Sequence, residues 1–147
     1  MRWLLPLLLL TVPAQAWDAG NADSPRTPTP LQVAERFCAA AISGEWTRLR
    51  PPMAPALLSS IVKALRHAGE DVAIPWSSLS GRPSTCDASF VNGIENAPIV
   101  LVAVTYWLPD GSQRVDQVQM DRTPDSWVVD NVLYEGGGNL RFRLAEL

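Results

Sequence analysis

A chain of 147 residues with 47% hydrophobic and 18% charged residues has the length and composition of a one-domain globular protein. Its formal net charge is −3 at pH 7, and its basic residues are scattered along the sequence. The lack of a basic stripe argues against nucleic acid and anionic membrane surfaces as partners.

The first 16 residues have the pattern of a secretory signal peptide. Arg2 supplies a positive charge, Leu4–Val12 is almost wholly apolar, and Ala14-Gln15-Ala16 is a small-x-small cleavage pattern. The apolar run is shorter than the roughly 20 residues of a membrane span, which disfavours the alternative of an uncleaved anchor. No cysteine follows the cleavage site for lipid attachment, and no Asn-x-Ser/Thr sequon occurs. We therefore expect a periplasmic or secreted bacterial protein, with no membrane span in the mature chain.

The rest of the chain divides into a leader and one domain. Residues 17–29 are rich in Asp, Asn, Gly, Ser, Thr and Pro and lack periodicity, which predicts a flexible leader. Residues 30–147 place helical patterns first and strand patterns afterwards. That order predicts a single α+β domain in which N-terminal helices pack on an antiparallel sheet.

Capping residues mark the predicted helices. Thr29, Pro30 and Gln32 form a capping-box pattern for a helix that runs to about Ser43, with Gly44 as its stop. Three further segments follow it. They are an extra helical turn within Glu45–Arg50, a helix from Pro52 or Pro55 to about Ala68 that Gly69 ends, and a short edge strand at Asp71–Trp76.

The second half of the chain alternates strand patterns with turn residues. Pro98–Trp107 is apolar on both faces, and we expect it to be a central strand. Trp127–Tyr134 is predicted to be buried on both faces near the centre of the sheet. The other predicted segments are a strand at Cys86–Val91, a turn at Asn92-Gly93, a return strand at Arg114–Arg122 and a last strand at Leu140–Leu144.

The chain has two cysteines, Cys38 and Cys86. In an exported protein an even pair predicts a disulfide, the alternative being two free buried thiols. The pair lacks the short spacing of a redox-active C-x-x-C motif. A bridge from the first helix to the first strand would fit the predicted packing.

Three features of this order resemble the nuclear transport factor 2-like (cystatin-like) superfamily. They are a helix that ends in Ser43-Gly44-Glu45-Trp46, a long strand that turns at Pro109-Asp110-Gly111, and the segment Trp127–Tyr134 with Asp130-Asn131 inside it. The resemblance is closest to small exported bacterial members of unknown function. It implies a cone-shaped fold in which a curved sheet wraps a helix and leaves a pocket, and it allows a homodimer. It fixes no activity, because superfamily folds host many functions.

Asp130 is the strongest candidate for a chemical role, since it interrupts an apolar strand. A carboxylate there either lines a pocket, where a raised pKa would serve catalysis, or pairs with a loop, Arg141 or Arg143. Strict alternation would place Asp130 and Tyr134 on the same face of the strand. Asp116, Asp121 and Asp125 are expected to be solvent-facing hairpin charges.

Aromatic residues supply the candidate binding surface. Trp46 and Trp127 are expected to fill the core. The predicted ligand-binding residues are Trp76, Tyr106, Trp107, Asp130 and Tyr134. His67 is expected to be solvated or to cap its helix. Metal, phosphate-loop and triad motifs are absent from the sequence, so no cofactor or metal is expected.

We therefore expect an exported, non-enzymatic module that binds a small apolar ligand or a protein partner, with an inhibitor or immunity protein as one version. A first alternative is a pocket enzyme of the isomerase or hydratase type, with Asp130 as base and Tyr106 or Tyr134 as hydrogen-bond donor. A second alternative is a structural accessory domain of the cell envelope.

Overall fold

The computed structural model describes residues 27–91 and 97–147. Four antiparallel strands lie in the order β1-β2-β3-β4, and the helices pack against one face of this open, curved sheet. This confirms the predicted α+β class. The predicted signal peptide, nearly all of the leader and the Asn92-Gly93 turn lie outside the described residues. The elements are α1 Pro30–Ser43, α2 Trp46–Leu49, α3 Pro55–Ala68, β1 Thr85–Phe90, β2 Ile99–Trp107, β3 Gln113–Arg122, β4 Trp127–Leu133 and α4 Leu140–Ala145.

The helix boundaries follow the capping residues. The Thr29 hydroxyl accepts a hydrogen bond from the Gln32 backbone N–H at 3.2 Å, and the Gln32 side chain accepts one from the Thr29 N–H at 2.9 Å. These two bonds satisfy N–H groups that an α-helix leaves unpaired at its start. Gly44 ends α1 with a φ of 73°, in the left-handed region that favours glycine. Pro55 opens α3 and Gly69 ends it, as predicted.

The segment at Asp71–Trp76 is irregular, so the predicted edge strand is wrong. The Trp76 N–H bonds the Ile74 carbonyl at 2.9 Å, which folds the chain back on itself. Pro75, between them, has no N–H to give to a sheet. Residues 70–84 therefore form a long loop between α3 and β1.

β4 lies at an edge of the sheet among the described strands, and the prediction of a central position is wrong. The strand is nevertheless well buried. Its Val129 N–H donates to the Pro52 carbonyl, and its Val129 carbonyl accepts from the Ala54 N–H, both at 2.8 Å. The chain that leads into α3 thus covers the edge that a fifth strand would otherwise cover.

Leu140–Ala145 is a short helix rather than the predicted last strand. The Asn139 side chain caps it by accepting a hydrogen bond from the Phe142 N–H at 3.0 Å. Leu140 and Leu144 are buried, while Phe142 is 59% exposed. Leu140, Phe142 and Leu144 fit the alternation of a strand, but Leu140 and Leu144 are also four positions apart, as on one face of a helix. The Asn139 cap and the burial of Leu140 and Leu144 are features of the helix.

A bulge at Asp130 breaks the alternation expected in β4. Gln119 of β3 faces Asn131, whereas the next residue, Met120, faces Val129. Asp130 is therefore the extra residue. As a result Val129 and Val132 are both fully buried, although they are three positions apart.

The disulfide between Cys38 and Cys86 is present, with a Cα–Cα distance of 5.4 Å. It joins α1 to β1, as the packing suggested. Within the described ranges, none of the helices has the length and apolar content needed to cross a bilayer.

The disulfide encloses a sequence separation of 48 residues, so its loss should loosen the unfolded chain considerably. We predict that Cys38→Ala/Cys86→Ala lowers the free energy of unfolding by about 2–4 kcal/mol. Denaturant unfolding monitored by circular dichroism measures this change. The matched control is the wild-type protein kept reduced, which should unfold at nearly the midpoint of the double variant. Equal midpoints for oxidised wild type and double variant would refute a stabilising bridge.

Candidate functional site

A cleft of about 510 Å³ lies between the end of α1, the short α2 and the loop before β1. We call it the aromatic cleft. Its helical side is formed by Ala41, Gly44 and Trp46, and its other side is the loop. The loop residues that line it are 73–77 and 79–83.

Two stacked indoles form part of its wall. The ring centroids of Trp46 and Trp76 lie 4.5 Å apart with an angle of 15° between the planes. Phe37 of α1 meets Trp46 edge to face at 4.9 Å, so the stack rests on the core. Both indoles are half-buried and line the cleft. Trp46 was expected to fill the core, and the structure places it at the boundary between core and cleft.

Arg82 adds a positive charge to the aromatic cleft. Its guanidinium lies over Gly44, so closely that a Cβ at Gly44 would come within 2.7 Å of it. A glycine is thus needed at position 44 for two reasons: its φ is positive, and Arg82 occupies the space that a Cβ would fill. Arg82 is exposed, so its charge is available at the rim.

Asp116 holds the loop in place from beneath. Its carboxylate accepts a hydrogen bond from the Ser78 N–H at 2.7 Å and another from the Glu135 N–H at 3.0 Å. The side chain is fully buried, so the expectation of a solvent-facing hairpin charge is wrong. Asp116 falls in register with buried Val118 and Met120 on the core face of β3. Two backbone donors offset part of the cost of burying its charge.

Two tyrosines stand beside this carboxylate. Burial, followed by the charge of Asp116, raises the pKa of Tyr106, which is fully buried. Its hydroxyl has no hydrogen-bond partner among the described residues. Burial and then Asp116 also raise the pKa of Tyr134, whose hydroxyl donates to the Pro75 carbonyl. Both hydroxyls are therefore held in the neutral form.

Asp130 is paired with Arg141, one of the two alternatives that the sequence predicts for it. The carboxylate forms an ion pair with the Arg141 guanidinium, and the Arg141 Nε donates to the Asp130 carbonyl at 2.9 Å. The Asn131 side chain accepts from the Arg141 N–H at 3.1 Å. The polar pair in the bulge thus docks α4 against β4.

The five residues predicted to bind a ligand are dispersed in the structure. Trp76 lines the aromatic cleft, and Tyr134 lines a neighbouring cleft of about 430 Å³ on the other side of the same loop. Tyr106 is enclosed in the core, Trp107 alternates onto the opposite face of the sheet, and Asp130 is held by Arg141. Among the described residues, no group of three His, Cys, Asp or Glu side chains could hold a metal ion.

Sequence reasoning missed Arg82 and the role of Asp116. Arg82 sits in a turn-rich stretch, where nothing in the pattern relates it to Gly44. For Asp116 a signal existed, because it shares the period-two phase of Val118 and Met120. The flanking polar residues concealed that phase.

Comparisons with family models, curated proteins and solved structures return no match for this chain. The resemblance to the nuclear transport factor 2-like superfamily therefore remains a prediction from the sequence motifs.

Removing the charge of Asp116 should loosen the loop. We predict that Asp116→Asn lowers the free energy of unfolding by about 1–3 kcal/mol, since one backbone N–H then faces an amide donor in place of an oxygen. Denaturant unfolding measures the change, and hydrogen exchange should accelerate at the Ser78 and Glu135 amides. Asp125→Asn, at an exposed position, is the matched control and should change stability by less than about 0.5 kcal/mol. Similar values for the two variants would contradict the tethering role.

The chain contains only two tyrosines, and both have a raised pKa. In the unfolded chain they lose their protons near pH 10, whereas the folded state keeps them. Stability from this source is therefore complete below about pH 10 and declines as the pH rises above it. We predict that tyrosinate absorbance appears together with unfolding in an alkaline titration followed by ultraviolet absorbance and circular dichroism. Ionisation near pH 10 with an intact fold would contradict the prediction.

Proposed function

We propose that this protein is an exported, non-enzymatic binding module whose aromatic cleft holds a segment of a protein partner. The observation that carries the proposal is the stacked pair of Trp46 and Trp76 in an open cleft, with Arg82 at its rim. Tryptophan and arginine are the residue types most enriched at energetic hot spots of protein interfaces. An inhibitor or immunity protein is one version of such a module.

Export is supported by the N-terminal signal pattern and by the formed disulfide. Disulfides persist in oxidising compartments such as the periplasm and the extracellular space. Cys38 and Cys86 are both engaged in the bridge, and no free cysteine remains among the described residues. A periplasmic or secreted location is therefore part of the proposal.

A protein segment suits the cleft better than a small apolar ligand. The space between helices and sheet is filled by side chains such as Phe37, Leu57 and Met120, all fully buried. The aromatic cleft instead mixes indole surface with Ser77, Ser80 and a guanidinium. Such a wall offers stacking and hydrogen bonds together, as the surfaces that recognise peptides do.

The enzymatic alternative receives less support from the geometry. A base and donor made of Asp130 and Tyr134 would require the ion pair with Arg141 and the hydrogen bond to Pro75 to break. The carboxylate whose charge helps to raise the pKa of both tyrosines is that of Asp116, and it is buried beneath the loop.

One observation favours the structural alternative, an accessory domain of the cell envelope. Phe90, Val91 and Ile99 lie near the same end of the β1–β2 pair and are 48%, 47% and 49% exposed. Surface apolar residues in a group mark contact sites. Loss of envelope association in a Phe90→Ser/Ile99→Ser variant, with association unchanged in a Trp76→Ala variant, would favour this alternative.

The proposed function predicts that Trp76→Ala strongly reduces partner capture. Tagged protein is used to capture partners from the envelope fraction of the exporting organism, and a purified partner is then titrated by calorimetry. The variant should weaken binding by about 2 kcal/mol, roughly 30-fold, because a hot-spot indole is lost.

Trp107→Ala is the matched control, since Trp107 lies on the opposite face of the sheet and does not line the aromatic cleft. It should capture and bind like the wild type. Circular dichroism establishes that both variants fold. Equal binding by wild type and Trp76→Ala would refute the cleft as the docking site, and a small molecule retained in native mass spectrometry would favour the small-ligand version.

A further inference from the structure

A second, smaller cleft of about 170 Å³ lies between the C-terminal half of α3 and the helix α4. It shares no lining residue with the aromatic cleft. Its base includes Ala64 and Leu144, both buried in the core. Three basic side chains line it: Lys63, His67 and Arg141.

Lys63 and His67 stand one helical turn apart on the same face of α3, so their side chains can reach the same group. Neither is joined to a carboxylate by a salt bridge within residues 27–91 and 97–147. Both are exposed, and their nitrogens are free to turn toward the cleft.

Arg141 differs from these two because it is already fixed. Asp130 holds its guanidinium from one side, and its own backbone N–H is bound by Asn131. A guanidinium has five N–H donors, and Asp130 occupies only part of them. The side chain remains 36% exposed and lines the cleft. An anion would therefore meet a preorganised donor, with little further loss of rotamer freedom.

The two kinds of side chain would contribute differently. Asp130 neutralises most of the charge of Arg141, so Arg141 offers directed hydrogen bonds rather than net charge. Lys63 supplies the net positive charge, and His67 adds a hydrogen-bonding imidazole. The carboxylate of Asp121 also lies close enough to Arg141 to interact with it electrostatically. Selectivity for an anion thus rests on the α3 side of the cleft.

We propose that this cleft binds a single oxyanion group, a phosphate or a carboxylate, carried by a small molecule. The volume corresponds to the liquid share of about five or six water molecules, which suits one such group. It is smaller than the roughly 300–1,000 Å³ of pockets for drug-sized ligands. The proposal concerns a different surface from the aromatic cleft and stands independently of the function proposed there.

The test is a titration of the full chain with inorganic phosphate, and separately with acetate, followed by ¹H–¹⁵N NMR at constant ionic strength. Saturable shifts should concentrate in residues 60–67 and 141–147. Lys63→Gln and His67→Gln should each weaken binding about threefold to fivefold, the range expected when one exposed charge or one hydrogen-bond donor is lost. The tighter of the two anions identifies the oxyanion class.

Arg66→Gln is the matched control, because Arg66 lies on the same helix end but does not line the cleft. It should leave the affinity unchanged within about 1.5-fold, as expected for a surface position. Shifts that are non-saturable or spread over the surface would overturn the proposal. Equal weakening by Arg66→Gln and Lys63→Gln would also overturn it, since general attraction to the helix end would then explain the effect.

Discussion

The structure of the candidate site depends on one buried carboxylate. Asp116 accepts hydrogen bonds from Ser78 in the loop and from Glu135 after β4, and so ties two separate segments to β3. A buried charge is tolerated only where such partners are supplied, and here the backbone supplies both. The loop between α3 and β1 contains no strand or helix of its own, so this tie gives it a fixed path.

Trp76 lies between two of the loop's attachment points. Ser78 is bound by Asp116 two residues after it, and Pro75 accepts the Tyr134 hydroxyl immediately before it. The indole is therefore held from both sides and can stack on Trp46. Asp116 of β3 and Tyr134, which directly follows β4, thus position the wall of the aromatic cleft without lining it.

The helices and the disulfide could be predicted because their determinants are local or few. Thr29, Gln32, Gly44 and Gly69 fix helix ends within a few residues of themselves, and the chain has a single pair of cysteines to join. The path of the loop and the position of β4 in the sheet could not be predicted in this way. They depend on contacts such as Val129 with Pro52 and Asp116 with Ser78, which are distant in sequence.

The roles of two aspartates, Asp130 in β4 and Asp116 in β3, could not be determined from the sequence. It stood out because it interrupts an apolar run, yet the interruption is a bulge whose extra residue is turned toward Arg141. Asp116 looked ordinary among polar neighbours, yet it occupies the core phase of β3. A bulge shifts the alternation by one position, and its location depends on the partner strand.

The two clefts are formed by different elements, but each contains a side chain that is fixed before any ligand binds. In each cleft, one lining side chain is held in place by an interaction outside the cleft. Trp76 is held because Asp116 binds its loop at Ser78, and Arg141 is held by its ion pair with Asp130. Immobilisation before binding removes part of the entropy cost of association, which otherwise consumes much of the interaction free energy. Asp116 of β3 and Asp130 of β4 thus help to fix a half-buried indole and a partly exposed guanidinium, and in the two proposals this is how internal polar groups favour binding.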